Sequence, residues 1–357
     1  MSKKLRIAQI APLRFPIPPR KYGGIERIVS FLTEELFKRG YQVTLFASGN
    51  SKTRAKLVSV IKKDLDEKKI PWADWYWNIF NHSSAFQMEK KFDIFHSHCG
   101  FMGIFFEKFI KIPVLHTLHN IPNSSDHRWG IFKHFKDYLN VVFISKSEQK
   151  NSPLRFKKEW VVYNGINVSQ FKFNLKPKNH FIWVGRIDPR KGPQNAIQIA
   201  KRLGLKLLLV GQIQSIYKDY FQREIKPHLT SKIRFIGEVP QKELPNFYTK
   251  AKALLYPIEW EEPFGLVMAE SMACGTPVVA FKRGSVPEVI KDGKTGFIVE
   301  PFDKQGKPNL KGFIEAIKKI DQIDRRECRK WVEENFTIEK MVDGYERVYK
   351  EILKREN

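Results

Sequence analysis

The sequence has few cysteines and no long apolar run. Its three cysteines, Cys99, Cys274 and Cys328, are far apart and form no CxxC pair. This excludes a disulfide scaffold and gives no zinc or redox motif, so we expect a reducing cytoplasm. No apolar stretch approaches the roughly 20 residues of a membrane-spanning helix. The apolar run near the start breaks at Pro12 and Arg14, so we interpret it as a first β-strand and not as a signal peptide.

Two common nucleotide-binding motifs are absent. No GxGxxG occurs, which argues against a nicotinamide cofactor. The GKT at 293–295 has the ending of a phosphate-binding P-loop, but Glu288 occupies the position of the required glycine and a strand-like FIV follows. We therefore predict a turn at this point.

Two sets of metal-capable side chains are too sparse to predict a metal site. Asp64 and Asp66 form a DxD, but they lie within KKDLDEKK, which we interpret as a solvated charged face, because a hard cation needs several converging oxygen ligands. His96 and His98 alternate along a predicted strand and have no third ligand in view. The prediction is that no metal is bound and no cofactor is required.

Acidic residues are scarce relative to basic ones. The chain has 38 Asp and Glu against 63 Lys and Arg, a net charge of +25, and residues 1–180 hold 31 basic against 14 acidic residues. Such a balance favours phosphates as partners, on nucleic acid, on an anionic membrane or on an acidic substrate. Solubility of a lysine-rich composition explains the charge equally well, and both explanations stay open.

Apolar runs alternate with helical patterns along the whole chain, which predicts two parallel sheets. LRIAQI, YQVTLFA, DIFHSH, IPVLHTLH, NVVFIS and WVVYN are the first series of predicted strands, with a helix over 25–39. The polar segment 171–179 is the predicted linker, and a second series begins with HFIWVGR. Doubly wound sheets bind ligands at the carboxyl ends of their strands, and two facing sheets make a cleft.

Aromatic residues are concentrated in PWADWYWNIF, residues 71–80. Clustered aromatics mostly supply packing area, so we favour a buried core, or a helix at the edge of the cleft, over a platform for a sugar.

Three features have the chemistry of a phosphate and sugar site. Gly23 and Gly24 follow the first strand and open a helix, whose backbone amides can approach a phosphate. Arg186 and Lys191, in VGRIDPRKG, follow the first strand of the second series. Two cations at the carboxyl edge of a sheet suit a diphosphate leaving group, although two solvated surface cations remain an alternative.

The third feature is EEPFGLVMAESMACGTPVVAF. It has Glu262 ahead of a predicted helix and Glu270 eight residues later, a spacing that places both carboxylates on about one face of a helix. Residues 264–267 are predicted to form the first turn, where free amides bind hydroxyl oxygens and phosphate. Carboxylates accept hydrogen bonds from ribose or hexose hydroxyls.

The string WEEPFGLVMAESMACGTPVVAFKRGSVPEVIKDGKTGFIV resembles the donor-binding motif of the retaining glycosyltransferases of family 4, glycosyl transferases group 1. GGIER, TLH at 117–119, YNGIN and VGRIDPRKG occur in the order that family shows. The resemblance implies the α/β GT-B fold, with two Rossmann-like parallel-sheet domains facing across a cleft. We predict an acceptor domain over 1–172, joined by the C-terminal helix at about 337–357, and a donor domain over 173–336.

The resemblance also implies roles for individual residues. His119, Glu262, Arg186 and Lys191 are the predicted catalytic residues, with Arg186 and Lys191 on the diphosphate and Glu262 beside the transferred sugar. Glu270 is expected to bind ribose. The remaining predicted donor-binding residues are Gly23, Gly24, Gly237, Val239, Phe264, Gly265, Leu266 and Val267.

The expected activity is transfer of a hexose, with retention and without a metal, from a nucleotide-sugar to an unidentified acceptor in glycan, lipopolysaccharide or glycoconjugate synthesis. UDP-glucose is the leading donor by resemblance, and UDP-galactose, UDP-GlcNAc and GDP-mannose stay open. We expect a cytoplasmic enzyme that contacts no nucleic acid and has peripheral contact with the inner face of the membrane as an option. The alternative is a membrane- or RNA-binding protein with a vestigial transferase site.

Overall fold

The computed structural model describes residues 4–122 and 124–354. The chain divides into two compact units: unit 1 is Met1–Gly165 together with Ile338–Asn357, and unit 2 is Ile166–Thr337. The predicted linker at 171–179 is part of unit 2. Its Phe171 is buried, and Asn174 donates to the carbonyl of Thr249 at 2.8 Å and accepts from Arg325 at 2.7 Å through its own carbonyl. These hydrogen bonds explain why a polar segment without periodicity is nevertheless ordered against that unit.

Unit 1 is built on a parallel sheet with the order β3-β2-β1-β4-β5-β6-β7. Its strands are β1 Arg6–Ile10, β2 Gln42–Phe46, β3 Lys56–Val58, β4 Ile94–Ser97, β5 Val114–Leu118, β6 Asn140–Phe143 and β7 Lys158–Val161. Its helices before the unit boundary are α1 Gly24–Lys38, α2 Tyr76–Phe86, α3 Trp129–Phe135 and α4 Lys146–Asn151, with 3₁₀ turns at Glu89–Lys91 and Ile104–Phe109.

Unit 2 repeats this architecture with the strand order β10-β9-β8-β11-β12-β13, also parallel. Its strands are β8 Phe181–Val184, β9 Leu207–Val210, β10 Ile233–Gly237, β11 Leu254–Tyr256, β12 Val278–Phe281 and β13 Gly296–Val299. Its helices are α5 Pro193–Leu203, α6 Lys218–Tyr220, α7 Leu244–Lys250, α8 Leu266–Ala273, α9 Val286–Val289, α10 Leu310–Lys318 and α11 Arg325–Asn335. Shorter 3₁₀ and π turns lie at Val168–Gln170, Pro189–Lys191, Ser215–Tyr217, Phe221–Ile225, Lys226–His228 and Ile320–Gln322.

The last helix, α12 Ile338–Leu353, returns to unit 1. Its apolar residues recur at helical spacing and are buried, as are the rings of Tyr345 and Tyr349. Arg39 at the end of α1 forms salt bridges of 2.7 Å to Asp343 and 3.3 Å to Glu346. The helix is therefore an integral part of the core of unit 1.

The strand order has a functional consequence in each unit. In a doubly wound sheet the chain reverses its direction of growth beside the first strand, and the crevice at that point is where ligands bind. This reversal lies between β1 and β4 in unit 1 and between β8 and β11 in unit 2.

No helix among the described residues is long and apolar enough to cross a membrane.

Candidate functional site

Three neighbouring strands of unit 2 have a glycine at their carboxyl end. Gly185 follows β8, Gly211 follows β9 and Gly237 is the last residue of β10. These glycines leave a bare edge, where the backbone carries no side chains. The amide of Gly211 donates to the carbonyl of Gly237 at 2.9 Å, and a Cβ added to Gly211 would lie 1.7 Å from the carbonyl oxygen of Gly185. A Cβ on Gly237 would meet nothing within 4 Å. The edge beside Gly237 and half-buried Val239, the predicted border of the base, is therefore open to a ligand.

The two predicted cations follow β8 in a tight turn. Asp188 accepts from the amide of Arg190 at 3.0 Å and begins the 3₁₀ turn Pro189–Lys191. Gly192 then adopts a φ of +70°, and a Cβ there would lie 1.9 Å from the carbonyl oxygen of Pro257. Only glycine permits this close approach. The turn thus brings Lys191 against the loop that follows β11.

Lys191 and Glu262 form the central contact of the site. Nζ of Lys191 lies 2.7 Å from Oε2 of Glu262, and the same oxygen accepts from the hydroxyl of Tyr256 at 2.5 Å and from Nε1 of Trp260 at 2.9 Å. Burial by itself would raise the pKa of Glu262, but the charge of Lys191 and these hydrogen bonds outweigh it and lower the pKa. Glu262 is therefore a fixed carboxylate with a defined orientation.

Arg186 lies closer to Gln214 than to a carboxylate. Its Nη1 donates to Oε1 of Gln214 at 3.3 Å, and its Nη2 is 3.7 Å from Oδ2 of Asp188. The shorter contact of Asp188 is to Arg190, at 2.7 Å. These contacts hold the guanidinium of Arg186 beside Gln214 and Asp188, after the carboxyl end of β8.

Helix α8 begins at Leu266, two residues later than the predicted first turn implies. Gly265, with a φ of +76°, is its N-cap and has no capping side chain, so the first-turn amides of Leu266 and Val267 have no intrahelical partner. Phe264 is buried before the helix, and its carbonyl accepts from the hydroxyl of Ser285 at 2.9 Å. The prediction that residues 264–267 form the first turn is correct only for Leu266 and Val267, because the left-handed backbone at Gly265 interrupts the helical geometry.

Glu270 is a buried residue of α8, and its Oε2 accepts from the hydroxyl of Tyr248 at 3.0 Å. The spacing argument that placed Glu262 and Glu270 on one helix face is wrong. Glu262 precedes the helix by four residues, so helical periodicity does not relate the two carboxylates. Both nevertheless belong to the segment between β11 and β12, at the carboxyl edge of the sheet.

Gly23 and Gly24 lie in unit 1, where they begin α1 as the sequence predicts. Gly23 has a φ of +149° and a Cβ there would lie 2.6 Å from Cβ of Pro19. The N-cap of the helix, Gly23, has no side chain to cap its first amides. Glu26 in this first turn is buried, and that burial raises its pKa to about 7.

His119 follows β5 in unit 1 and ends a buried chain of hydrogen bonds. Oε1 of Gln9 lies 2.7 Å from Nε2 of His98, and Nδ1 of His98 lies 3.1 Å from Nε2 of His119. Burial lowers the pKa of His119 to about 3 and lowers that of His98 well below its usual value, so both rings are neutral. Since Gln9 presents an oxygen, His98 donates from Nε2 and accepts at Nδ1 from Nε2 of His119. Nδ1 of His119 is then an acceptor.

The same chain of hydrogen bonds continues into helix α12. Nε2 of Gln9 donates to the hydroxyl of Tyr349 at 3.1 Å, Nδ1 of His96 lies 2.7 Å from that hydroxyl, and Nε2 of His96 lies 2.7 Å from Oγ1 of Thr117. Both ring nitrogens of His96 are thus engaged by protein groups. Over residues 4–122 and 124–354, no group of three side chains could hold a metal ion.

The DxD segment is the predicted solvated face at Asp66, which is exposed, and differs from it at Asp64. Asp64 is 2% exposed, and its carboxylate accepts from Nδ2 of Asn50 at 2.7 Å and from the amide of Glu67 at 2.9 Å. It therefore organises a loop. The predicted turn at 293–295 is confirmed: Gly293 has a φ of +70° and the segment leads directly into β13.

Sequence reasoning missed the groups that hold the predicted residues in place. The bare edge had a visible signal, since VGR, VGQ and IGE each put a glycine after an apolar strand. No comparable signal exists for Gln9, Tyr248 or Tyr349, because their partners lie 22 to 340 residues away along the chain.

Comparison with known proteins agrees with this geometry. Residues 22–170 match the model of Glycosyltransferase Family 4, and residues 166–330 match that of Glycosyl transferases group 1. An uncharacterized glycosyltransferase of Methanocaldococcus jannaschii is 30% identical over 277 residues, which cover 73% of this chain and 76% of that protein.

Two solved structures share the fold. Sucrose-phosphate synthase from Thermosynechococcus elongatus superposes with a TM-score of 0.81 at 20% identity, covering 99% of this chain and 100% of that one. Anabaena HepE, solved in complex with UDP and glucose, gives a TM-score of 0.77 at 17% identity and covers 97% and 100%. The predicted fold class, two Rossmann-like parallel-sheet domains of the GT-B type, is confirmed.

Proposed function

Because this chain belongs to glycosyltransferase family 4, and is thus a nucleotide-sugar-dependent transferase, we propose that it transfers glucose from UDP-glucose with retention and without a metal ion. The contact of 2.7 Å between Lys191 and Glu262 is the observation that best supports this proposal, because it joins a phosphate-binding cation to a sugar-binding carboxylate. The choice of UDP-glucose is supported by the sequence resemblance and by the UDP and glucose in Anabaena HepE.

The leaving group is stabilised by fixed positive charge. As the bond between C1 and the phosphate oxygen breaks, its electron pair moves to the nucleoside diphosphate. Lys191, Arg186 and the amides of Leu266 and Val267 stabilise the charge that develops there, which is the role that a metal ion has in other transferases. Glu262 accepts hydrogen bonds from hydroxyls of the transferred sugar, and Glu270 accepts them from the ribose.

His119 positions a hydroxyl and does not act as a base. A neutral imidazole whose pKa is about 3 takes up almost no proton near pH 7. Retention follows from attack on the face that the diphosphate leaves, with the departing phosphate oxygen taking the proton of the acceptor hydroxyl. Within unit 1, the first amides of α1 at Gly23 and Gly24 have the chemistry of a phosphate-binding helix start.

The test is release of nucleoside diphosphate from a panel of UDP-, GDP- and ADP-sugars, with and without EDTA. Wild-type protein is compared with Glu270→Gln and with Glu288→Gln as a matched control. We expect release from UDP-glucose that survives EDTA, falls at least tenfold in Glu270→Gln and is unchanged in Glu288→Gln. Release from a GDP-sugar alone would contradict the donor, and loss of release in EDTA would contradict metal independence.

A second property, peripheral contact with an anionic membrane in the cytoplasm, is favoured by the charge distribution. Residues 1–180 have 31 basic against 14 acidic residues, and such an excess attracts anionic headgroups within about a Debye length. We expect the protein to sediment with phosphatidylglycerol vesicles at low salt and to be released by raised salt. Absence of sedimentation at low salt would remove this property and leave the transferase proposal intact.

A further inference from the structure

Unit 1 contains a cavity of about 440 Å³ beside the carboxyl ends of β4 and β5. Cys99, Phe101 and Met102 line it from the loop after β4, and Asn120 lines it from the loop after β5. Asn120 is the residue next to His119, which we propose to contact the reacting hydroxyl. The volume of the cavity is within the roughly 300–1,000 Å³ typical of small-molecule sites.

The walls of the cavity are apolar. Phe101 stacks on Phe132 with ring centroids 3.8 Å apart, and both rings are buried. Burial raises the pKa of the Cys99 thiol, which is therefore neutral. Arg128 lies in the lining, but two hydrogen bonds of 2.9 and 2.6 Å hold its guanidinium on the carboxylate of Asp126. Such walls offer few partners to the hydroxyls of a sugar and a large area to a hydrocarbon.

The apolar surface continues beyond the cavity. Trp75, Phe105 and Ile131 form its rim and are 46%, 49% and 44% exposed. Phe105 packs against Phe135 with ring centroids 5.7 Å apart. Exposed large apolar side chains that adjoin a cavity mark a binding surface. A ligand that covers both the cavity and its rim is longer than a single ring.

A lysine lies beside the rim. Nζ of Lys108 forms no salt bridge within the described residues, and it lies 6.0 Å from the ring centroid of Phe135, which packs on Phe105, and 4.8 Å from that of Tyr138. Asp137 is paired with Lys136 at 2.7 Å. Lysine packs its aliphatic stem on apolar surface and leaves its ammonium at the edge. This combination suits an amphiphile with an anionic group.

We propose that this cavity binds the apolar chain of a lipid-linked acceptor, a sugar carried on a prenyl phosphate, whose phosphate contacts Lys108. The inference rests on the proposed function and names its acceptor class. A hydroxyl of that carried sugar, positioned by His119, forms a bond from its oxygen to C1 of the transferred sugar. The bond from C1 to the diphosphate breaks, and the diphosphate leaves with the electron pair and takes the hydroxyl proton.

The test uses farnesyl monophosphate as the probe, below its critical micelle concentration, with calorimetry on the full chain. Phenyl β-glucoside, maltose and inorganic phosphate are the comparison ligands. Phe105→Asp places a charge on the rim. Phe109→Asp is the matched control, because Phe109 belongs to the same 3₁₀ turn, is 81% exposed and does not line the cavity. Ile131→Asp is a second rim variant if Phe105→Asp fails to fold.

We expect farnesyl monophosphate to bind wild-type protein. Its affinity should fall at least tenfold in Phe105→Asp and less than twofold in Phe109→Asp. Tighter binding of phenyl β-glucoside or maltose would overturn the lipid assignment, as would inorganic phosphate binding equally well. An equal loss of affinity in Phe109→Asp would overturn the assignment of the cavity as the binding site.

Binding of UDP by the same samples separates the two proposals. If the protein binds UDP but no farnesyl monophosphate, only the proposed lipid site in the cavity is contradicted. Protein that binds farnesyl monophosphate but no UDP contradicts the proposed function, and with it the acceptor role.

Discussion

Nζ of Lys191 lies 2.7 Å from Oε2 of Glu262, so the cation proposed to hold the diphosphate is paired with the carboxylate proposed to bind the sugar. The two side chains are 14% and 8% exposed. Removing one partner of such a pair leaves an uncompensated buried charge, whereas removing both does not. Stability and catalysis can therefore be separated by mutation.

Lys191→Ala should reduce turnover by about 10²–10³, the usual loss on removing one group that stabilises transition-state charge. It should also lower the free energy of unfolding of unit 2 by about 3–5 kcal/mol, because Glu262 loses its partner. Steady-state kinetics and thermal unfolding measure the two effects. Lys242→Ala is the control and should change neither.

The double variant Lys191→Met/Glu262→Gln should regain most of the lost stability while its turnover stays low. If turnover returns together with stability, Lys191 has only a structural role.

Gln9→Leu should remove the tautomer preference of His119. Wild-type His119 should carry its proton on Nε2, since His98 accepts there, and imidazole ¹⁵N NMR reads this directly. With the preference lost, kcat should fall about tenfold while KM for the donor changes little, because the donor residues of unit 2 are untouched.

Gln149→Leu is the matched control, because Gln149 contacts Glu159 at 3.1 Å and takes no part in the histidine chain. A wild-type His119 protonated on Nδ1 would show that the hydrogen bonds run in the opposite direction.

Tyr248→Phe should weaken nucleotide binding by about 10- to 150-fold. The hydroxyl of Tyr248 donates to Glu270 at 3.0 Å, and a hydrogen bond to a charged group contributes about 1.5–3 kcal/mol. Calorimetric titration with UDP measures the loss. In a Glu270→Gln background the same substitution should have little further effect, and full additivity would contradict the coupling.

Glu26 should make unit 1 less stable as the pH rises. Its pKa is about 4.5 when unfolded and is raised to about 7 in the folded state, first by burial, against the charges of Arg27 and Arg14. The folded state therefore binds the extra proton, and stability falls between pH 4.5 and 7 by up to about 3 kcal/mol. Glu26→Gln should be more stable than wild type at pH 8 and similar to it at pH 5 in thermal unfolding.

Glu34→Gln, on the same helix, should change stability in the opposite direction and be less stable than wild type at neutral pH. Burial raises the pKa of Glu34, but hydrogen bonds from Thr53 and Arg54 lower it by more. The ionised carboxylate therefore stabilises the fold, and this stabilisation is lost as the pH falls through that pKa. Identical pH profiles for the two variants would contradict the assignment of Glu26.

The aromatic cluster shows where pattern reasoning fails. Trp72, Trp75, Tyr76 and Phe80 are 40% or more exposed, so a buried core is wrong. The other expectation, a helix, is met in part by α2 Tyr76–Phe86, and its place at the edge of a cleft stays a prediction. Period and composition identify apolar residues, but they do not identify which of them find a partner surface. Only the folded unit shows that Trp75 borders a cavity.

The sequence by itself determined the two parallel sheets, their strands apart from β3, and the turn that carries Arg186 and Lys191, because strand periodicity and glycine-marked turns are local properties of the chain. It did not determine the backbone at Glu262 and Gly265, which precede helix α8. The tertiary structure decided which side chains hold these groups. Gln9 meets Tyr349 across 340 residues of sequence and Lys191 meets Glu262 across 71. Contacts of that separation depend on strand order and on the return of α12 to unit 1, which no local pattern encodes.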